Sequence, residues 1–169
     1  MFGVKLSAPV VELLEEVEAL YKKKVWANGP VEMSPHQEAA SGVSPDGVPC
    51  VRFNPRASPT EELIAHELSH LRLSALGFPY VFTVSSIPLN DLERMQFFVN
   101  EVYDTIEHTI IYPRMRAMGL RPDVRMARDI VLAMTHGYRY VGLPERDVQA
   151  LYLFQATMLL GDAGLLSRP

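Results

Sequence analysis

The residues best suited to chemistry in this chain are two histidines with a glutamate between them, in the order His66-Glu67-Leu68-Ser69-His70. Residues four apart lie on one face of a helix, so both imidazoles can reach the same metal ion. A zinc ion held by three protein ligands keeps a fourth position for water, and lowers the pKa of that water toward neutrality. The spacing therefore predicts that His66 and His70 bind Zn²⁺ and that Glu67 is the general base.

This spacing brings the two histidines together only on a helix, and the flanking residues predict one. Ser58-Pro59-Thr60-Glu61 has the pattern of a capping box with proline at the first helical position, and Gly77 can end the helix. An apolar stripe at helical spacing is formed by Ile64, Leu68, Leu71 and Ala75. We expect this stripe to face the core. The alternative to a metal site is a helix whose two histidines are hydrogen-bonded and hold no ion.

A third ligand is needed, and the residues directly after the motif do not supply it. Metzincin peptidases continue the motif with a glycine and a third histidine, but Leu73 and Leu76 stand at those positions. Farther along, Asn90-Asp91-Leu92-Glu93 predicts the start of a long helix. Several possible zinc ligands follow one another on that helix, namely Glu101, Asp104, Glu107 and His108. The residue types alone leave the choice among them open.

The segment Asn100-Glu101-Val102-Tyr103-Asp104 resembles the N-E-x-x-x-D signature of the gluzincin metallopeptidases, with the aspartate one residue closer to the glutamate. In that clan the glutamate binds zinc and the aspartate supports a ligand histidine. The resemblance therefore implies Glu101 as the third ligand and Asp104 as the hydrogen-bond partner of a zinc-bound imidazole. Asp104 or His108 is the alternative ligand, and Glu107 is a further one. We favour for His108 the reading that it is a helix-face histidine paired with Asp104 and not a ligand, and a structural salt bridge accounts equally well for Glu107.

Residues 48 to 110 together resemble the compact bacterial minimal zincins and the metallopeptidase domain of the ImmA/IrrE kind. The resemblance implies zinc-dependent hydrolysis of a peptide or protein substrate. It also implies an edge strand, upstream of the motif helix, that pairs with an extended peptide by β-augmentation. Residues 48–53 can form that strand because they alternate and end at Asn54-Pro55. The alternative is an ordinary edge strand that covers the core.

Hydrolysis of an amide usually needs a group besides the metal that stabilises the developing oxyanion. His136 and Tyr138 are our candidates for this role, and Tyr140, Tyr80 and Tyr103 are further aromatic candidates. A second functional class also fits the motif, namely a catalytically silent zinc-binding protein of zincin fold with a regulatory or interaction role. Glu67 favours hydrolysis, because a protein that only binds zinc has no need of a base between its ligands.

Length and periodicity predict an α+β fold that is mostly helical. With 169 residues, 48% of them hydrophobic, the chain has enough material for a single zincin-like domain over residues 1–169. We expect about five helices, at residues 9–26, at the motif, along the Glu101 segment, and at residues 123–140 and 145–160. The turn Ser44-Pro45-Asp46-Gly47 predicts a small sheet or hairpin.

Charge and cysteine content narrow the expected partners and location. The formal net charge of −4 argues against binding to nucleic acid. Cys50 is the only cysteine, so it has no partner for an intramolecular disulfide, and the start of the chain lacks a long apolar segment typical of a secretory signal. No apolar run reaches the length of a membrane span. These features predict a cytoplasmic protein without membrane insertion.

Overall fold

The computed structural model describes residues 2–33, 37–78, 89–122 and 145–160. The helices of these residues are α1 (Ala8–Tyr21), α2 (Glu61–Ala75), α3 (Leu89–Ala117) and α4 (Glu145–Leu160). The strands are β1 (Trp26–Ala27), β2 (Ala39–Val43) and β3 (Pro49–Phe53). The described part is thus α+β with more helix than strand, as predicted. The helix predicted for residues 123–140 lies outside the described residues.

The chain divides into two compact units. Unit 1 comprises Met1–Pro79 with Ala117–Leu120, and unit 2 comprises Tyr80–Arg116 with Arg121–Pro169. Helices α1 and α2 and all three described strands belong to unit 1. Helix α4 and nearly all of α3 belong to unit 2. The single domain over residues 1–169 stays a prediction.

The core of unit 1 lies where α1 and the sheet pack against α2. Helix α2 places Ile64, Leu68 and Leu71 in this core, and each of them is fully buried or nearly so. These three positions of the predicted apolar stripe are confirmed, while Ala75 is half-buried. The facing side of α1 contributes Val10, Leu13 and Val17, all buried. Burying an aliphatic side chain of this size contributes about 1.5–3 kcal/mol.

Polar contacts also fix α2 against α1. Arg72 Nε lies 2.6 Å from Glu16 Oε1, in an ion pair that is partly shielded from water. The Tyr21 hydroxyl donates a hydrogen bond to the Leu71 carbonyl at 3.1 Å. At the other end of α2, the backbone N–H of Ser7 donates to Glu61 Oε1. Contacts at both ends of α2 restrict its rotation about its own axis, and therefore set the direction of its histidine-bearing face.

Helix α2 begins two residues later than the proposed capping box predicts. Its N-cap is Thr60, in an extended conformation, and Thr60 Oγ1 accepts a hydrogen bond from the Leu63 N–H at 3.2 Å. The prediction of Ser58 as cap was wrong because Thr60 also has a cap-forming hydroxyl and is followed by two glutamates. Glu61 and Glu62 occupy the first turn, where negative charge stabilises the helix dipole.

Helix α1 ends at Tyr21 and not at Trp26 as predicted. Lys22 adopts the left-handed conformation at φ 55°, and its backbone N–H binds the Ala19 carbonyl. This cap stops the helix and releases the chain to form β1 at Trp26. The boundary predicted at Gly77 is closer, since Gly77 follows α2 with positive φ. Helix α3 begins at Leu89, one residue before the predicted Asn90.

The sheet of unit 1 has the strand order β1-β3-β2. Strands β2 and β3 form the predicted antiparallel hairpin, closed by a turn in which the Gly47 N–H donates to the Ser44 carbonyl at 2.8 Å. Strand β1 pairs parallel to β3, which the sequence did not predict. The prediction that residues 48–53 form an edge strand for peptide binding was therefore wrong. Strand β3 is central, and its two sides are paired with β1 and β2.

A close backbone approach holds the end of β1 against β3. Asn28 has φ 60°, its N–H donates to the Val51 carbonyl at 2.6 Å, and its Oδ1 accepts from the Phe53 N–H at 3.3 Å. The next residue, Gly29, lies so near Cys50 that an added Cβ would be 2.5 Å from the Cys50 Sγ. Cys50 is fully buried, and this burial raises the pKa of its thiol.

We expect Gly29→Ala to destabilise the protein by about 1–3 kcal/mol, because the new methyl group overlaps a buried side chain in a packed region. Chemical denaturation monitored by circular dichroism measures this loss. The double variant Gly29→Ala/Cys50→Ala is the control. It removes the nearest atom, Sγ, but keeps the Cys50 Cβ, which would lie 2.7 Å away. The double variant should therefore lose less stability than the sum of the two single changes. Strict additivity would contradict the overlap.

In unit 2, α3 is a helix of 29 residues with Pro113 inside it. Its buried residues near the C-terminal end include Ile111, Tyr112 and Met115. Arg116 Nη2 donates to the Leu159 carbonyl of α4 at 3.3 Å, which links the two helices.

Among the described helices, none combines the length and the apolar character required to cross a bilayer.

Candidate metal centre

The two histidines of the motif converge on the surface of α2. The Nε2 atom of His66 lies 2.9 Å from the Nε2 atom of His70. Their rings are stacked, with centroids 4.8 Å apart and planes 30° from parallel. Both side chains are half-buried. The Nε2 atoms of the two histidines therefore lie close enough together to bind the same metal ion.

The separation of these nitrogens is close to that of two zinc ligands. At zinc–nitrogen distances near 2.0–2.1 Å and a tetrahedral angle, two ligand nitrogens lie about 3.3 Å apart. The observed 2.9 Å is shorter by a few tenths of an ångström, which a small rotation of either ring changes. The same distance also suits a hydrogen bond from a protonated Nε2 to an unprotonated one. The donor set fits zinc.

Glu67 adds a feature that a simple histidine pair does not need. It is only 7% exposed, although Glu62 on the same helix faces the solvent. Glutamate is seldom buried to this extent unless it is paired, because its carboxylate loses hydration. A buried glutamate between His66 and His70 in the sequence is consistent with a role as a base, since a residue kept only for packing would more often be apolar.

Unit 2 contains a second set of candidate ligands, all on α3. His108 Nδ1 lies 3.1 Å from Asp104 Oδ2, one helical turn before it. His108 is buried and Asp104 is about half exposed. The two atoms lie at ion-pair distance without the geometry of a hydrogen bond. A carboxylate this close to Nδ1 favours the ring tautomer with the proton on that nitrogen, which is the one that metal-binding histidines commonly use.

Glu107 lies on the same helix and has its own partner. The hydroxyl of Tyr103 donates to Glu107 Oε1 at 3.2 Å, and Glu107 is buried. The ring of Tyr112 lies 4.8 Å from that of His108, centroid to centroid. Sequence reasoning missed the pairing of Tyr103 with Glu107, although the spacing of four residues was the available signal. Tyr103 thus forms a hydrogen bond with Glu107, one of the candidate zinc ligands.

The structure describes some of the predicted site residues and not others. His66, Glu67 and His70 lie on α2 in unit 1, and Asp104, Glu107 and His108 lie on α3 in unit 2. The backbone of Glu101 belongs to α3, but its side chain lies outside the described part. The predicted oxyanion candidates His136 and Tyr138, with Tyr80 and Tyr140, also lie outside the described residues. The identity of the third ligand therefore stays a prediction.

Comparison of the chain with protein-family models, with curated proteins and with solved structures finds no match.

Proposed function

We propose that this protein is a zinc-dependent metallopeptidase that hydrolyses peptide bonds. The convergence of the His66 and His70 Nε2 atoms, with buried Glu67 between the two residues, is the observation that carries this proposal. A zinc ion alone could be held by other residue patterns. The glutamate next to the first ligand gives the arrangement a base as well as a metal site.

Each residue has a distinct part in the proposed reaction. His66 and His70 hold the ion through Nε2, which requires their ring protons to lie on Nδ1. The bound ion would supply a water of lowered pKa and polarise the substrate carbonyl. Glu67 would be the base that accepts the proton of that water and passes it to the leaving amine. Because Glu67 is buried, its carboxylate is shielded from competing bulk water, which favours this transfer.

The third donor in the proposal comes from the segment 101–108. Glu101 is the choice that the gluzincin resemblance implies. His108 is supported by its geometry in unit 2, because a carboxylate oxygen of Asp104 lies 3.1 Å from its Nδ1. Asp104 and Glu107 are further alternatives. The substrate in this proposal is a peptide or protein. The lone thiol of Cys50 suits the reducing cytoplasm, where we propose that the protein acts.

A peptide-cleavage assay tests the proposal. Zinc-loaded protein is incubated with a mixture of peptides of diverse sequence, and new termini are detected by mass spectrometry. We expect cleavage that stops with 1,10-phenanthroline and returns when zinc is added back. The isomer 1,7-phenanthroline is the matched control, since it has a similar shape but does not chelate. No cleavage by the zinc-loaded protein, or cleavage that persists without metal, would count against the proposal.

A further inference from the structure

Unit 1 contains a cleft that the proposed hydrolysis does not use. Its volume is about 690 Å³, within the range typical of ligand-binding pockets. The lining residues come from β1, from the end of β3 and from the loops that follow these strands, and they include Trp26, Asn28, Pro30, Arg52, Phe53 and Pro59. Most of these side chains are apolar or aromatic. The cleft therefore offers contact area to a ligand that has an apolar part.

Trp26 is the most unusual of the lining residues. It is the only tryptophan in the chain and is 52% exposed. One edge of its indole lies close to Gly29, where an added Cβ would be 3.3 Å from the Trp26 Cδ2. A large aromatic ring that is held at one edge and exposed elsewhere can stack on a ligand at little cost in conformational entropy. Tryptophan is enriched among residues that dominate binding energies for this reason.

Arg52 gives the cleft its charge. It is the exposed position of β3, and its Nη1 donates to the Val31 carbonyl at 3.0 Å. That bond positions the guanidinium and uses one of its five N–H donors. Within the described ranges, no carboxylate forms an ion pair with Arg52, and no acidic residue lines the cleft. The complement of this surface is an aromatic ring next to an anion.

The walls of the cleft are fixed before any ligand binds. Asn28 is tied to β3 by a backbone and a side-chain hydrogen bond. After β3, Asn54 Oδ1 accepts from the Arg56 N–H at 3.0 Å, which closes a tight turn beside Pro55. Prolines at positions 30, 55 and 59 restrict the backbone further. Because these backbone segments are already ordered, binding costs little further conformational entropy. A larger share of the energy of contacts with Trp26 and Arg52 therefore contributes to affinity.

We propose that this cleft binds a peptide segment in which an aromatic side chain stands next to a carboxylate. The ring stacks on Trp26, and the carboxylate pairs with the Arg52 guanidinium, a planar donor suited to carboxylates. The choice of a peptide rests on the proposed peptidase function, for which the cleft would capture substrates. The binding itself involves neither zinc nor hydrolysis.

Fluorescence of Trp26 tests this binding directly, because no other tryptophan contributes. Zinc-stripped protein is titrated with the blocked peptide acetyl-Gly-Phe-Asp-Gly-amide, and with acetyl-Gly-Gly-Phe, whose carboxylate is C-terminal. We expect a saturable change in emission with the Asp peptide, and the comparison with acetyl-Gly-Gly-Phe shows how much a terminal carboxylate adds or loses. Replacing Asp by Asn in the peptide should weaken binding about tenfold, the usual effect of losing one charge-assisted hydrogen bond.

Variants of the protein show whether Arg52 binds the carboxylate of the peptide. Arg52→Gln should weaken binding of the Asp peptide about tenfold and leave binding of the Asn peptide unchanged. Arg56→Gln is the matched control, because it removes the same charge from an exposed arginine that does not line the cleft. Three outcomes would overturn the proposal: no saturable change with the Asp peptide, equal binding of the Asp and Asn peptides, or an Arg52→Gln variant that binds like the parent protein. A failed hydrolysis assay would not alter these readings, since zinc is absent.

Discussion

Purified protein is expected to contain about one zinc per chain, and His66→Ala or His70→Ala is expected to lose most of it. Each variant removes one of the two nitrogens that converge at 2.9 Å. Loss of a direct ligand should lower zinc affinity by about a hundredfold or more, since loss of residues that merely support ligands already costs ten- to a hundredfold. Inductively coupled plasma mass spectrometry after extensive dialysis measures the zinc content, and circular dichroism shows whether the variants fold.

His36→Ala is the matched control for the metal content. It removes an imidazole from the chain but belongs to neither of the candidate ligand sets. Its zinc content should equal that of the parent protein. Equal zinc in all variants, or zinc that dialysis removes from the parent protein, would refute the metal site.

The same measurement selects the third donor. We expect Glu101→Gln to weaken zinc retention, as the gluzincin resemblance implies. If His108 is the ligand instead, His108→Ala should empty the site. Asp104→Asn should then weaken zinc retention less, because it only disturbs the tautomer of His108. Loss of zinc from Asp104→Asn with full retention in Glu101→Gln would show that the assignment of Glu101 is wrong.

Glu67→Gln is expected to lower kcat/KM for a cleaved peptide by about a thousandfold while zinc content stays unchanged. A general base commonly contributes 10²- to 10⁴-fold to a rate, and glutamine has nearly the same shape as glutamate but cannot accept the proton of the water. The side chain is 7% exposed, so a neutral replacement of equal size should leave the packing of α2 intact. The rate is followed on a peptide that the parent protein cleaves.

Glu62→Gln is the matched control for this substitution. It makes the same change on the same helix, at a residue that faces the solvent. Its kcat/KM should stay within a small factor of the parent value. An unchanged rate in Glu67→Gln would remove Glu67 from the mechanism. If Glu67→Gln lost zinc together with activity, the residue would act in metal retention and not as a base.

Local patterns in the sequence predicted the parts of the fold that depend on neighbouring residues. The buried stripe of Ile64, Leu68 and Leu71 follows helical periodicity, and the hairpin follows the turn at residues 44–47. Strand β1 was missed because it has only two residues and no alternating pattern. Its parallel pairing with β3 joins positions such as Trp26 and Cys50, which lie far apart in sequence. Without that pairing, β3 resembled an edge strand.

The candidate sites also differ in whether they are formed by residues that are near or distant in the sequence. The pairs His66–His70 and Asp104–His108 each span four residues on one helix, so the sequence could predict both. The cleft of Trp26 and Arg52 could not be predicted, because the pairing of two distant strands forms it. The late start of α2 has a local cause that the sequence left undecided, since Ser58 and Thr60 can both serve as caps.

Anomalous scattering at the zinc edge from crystals of zinc-loaded protein would show whether His66 and His70 bind one ion. We expect one zinc peak within about 2.0–2.1 Å of both the His66 and His70 Nε2 atoms, with at least one further donor and room for a water. A zinc-loaded crystal without a peak at the two histidines, or with zinc bound only elsewhere, would contradict the proposed metal site.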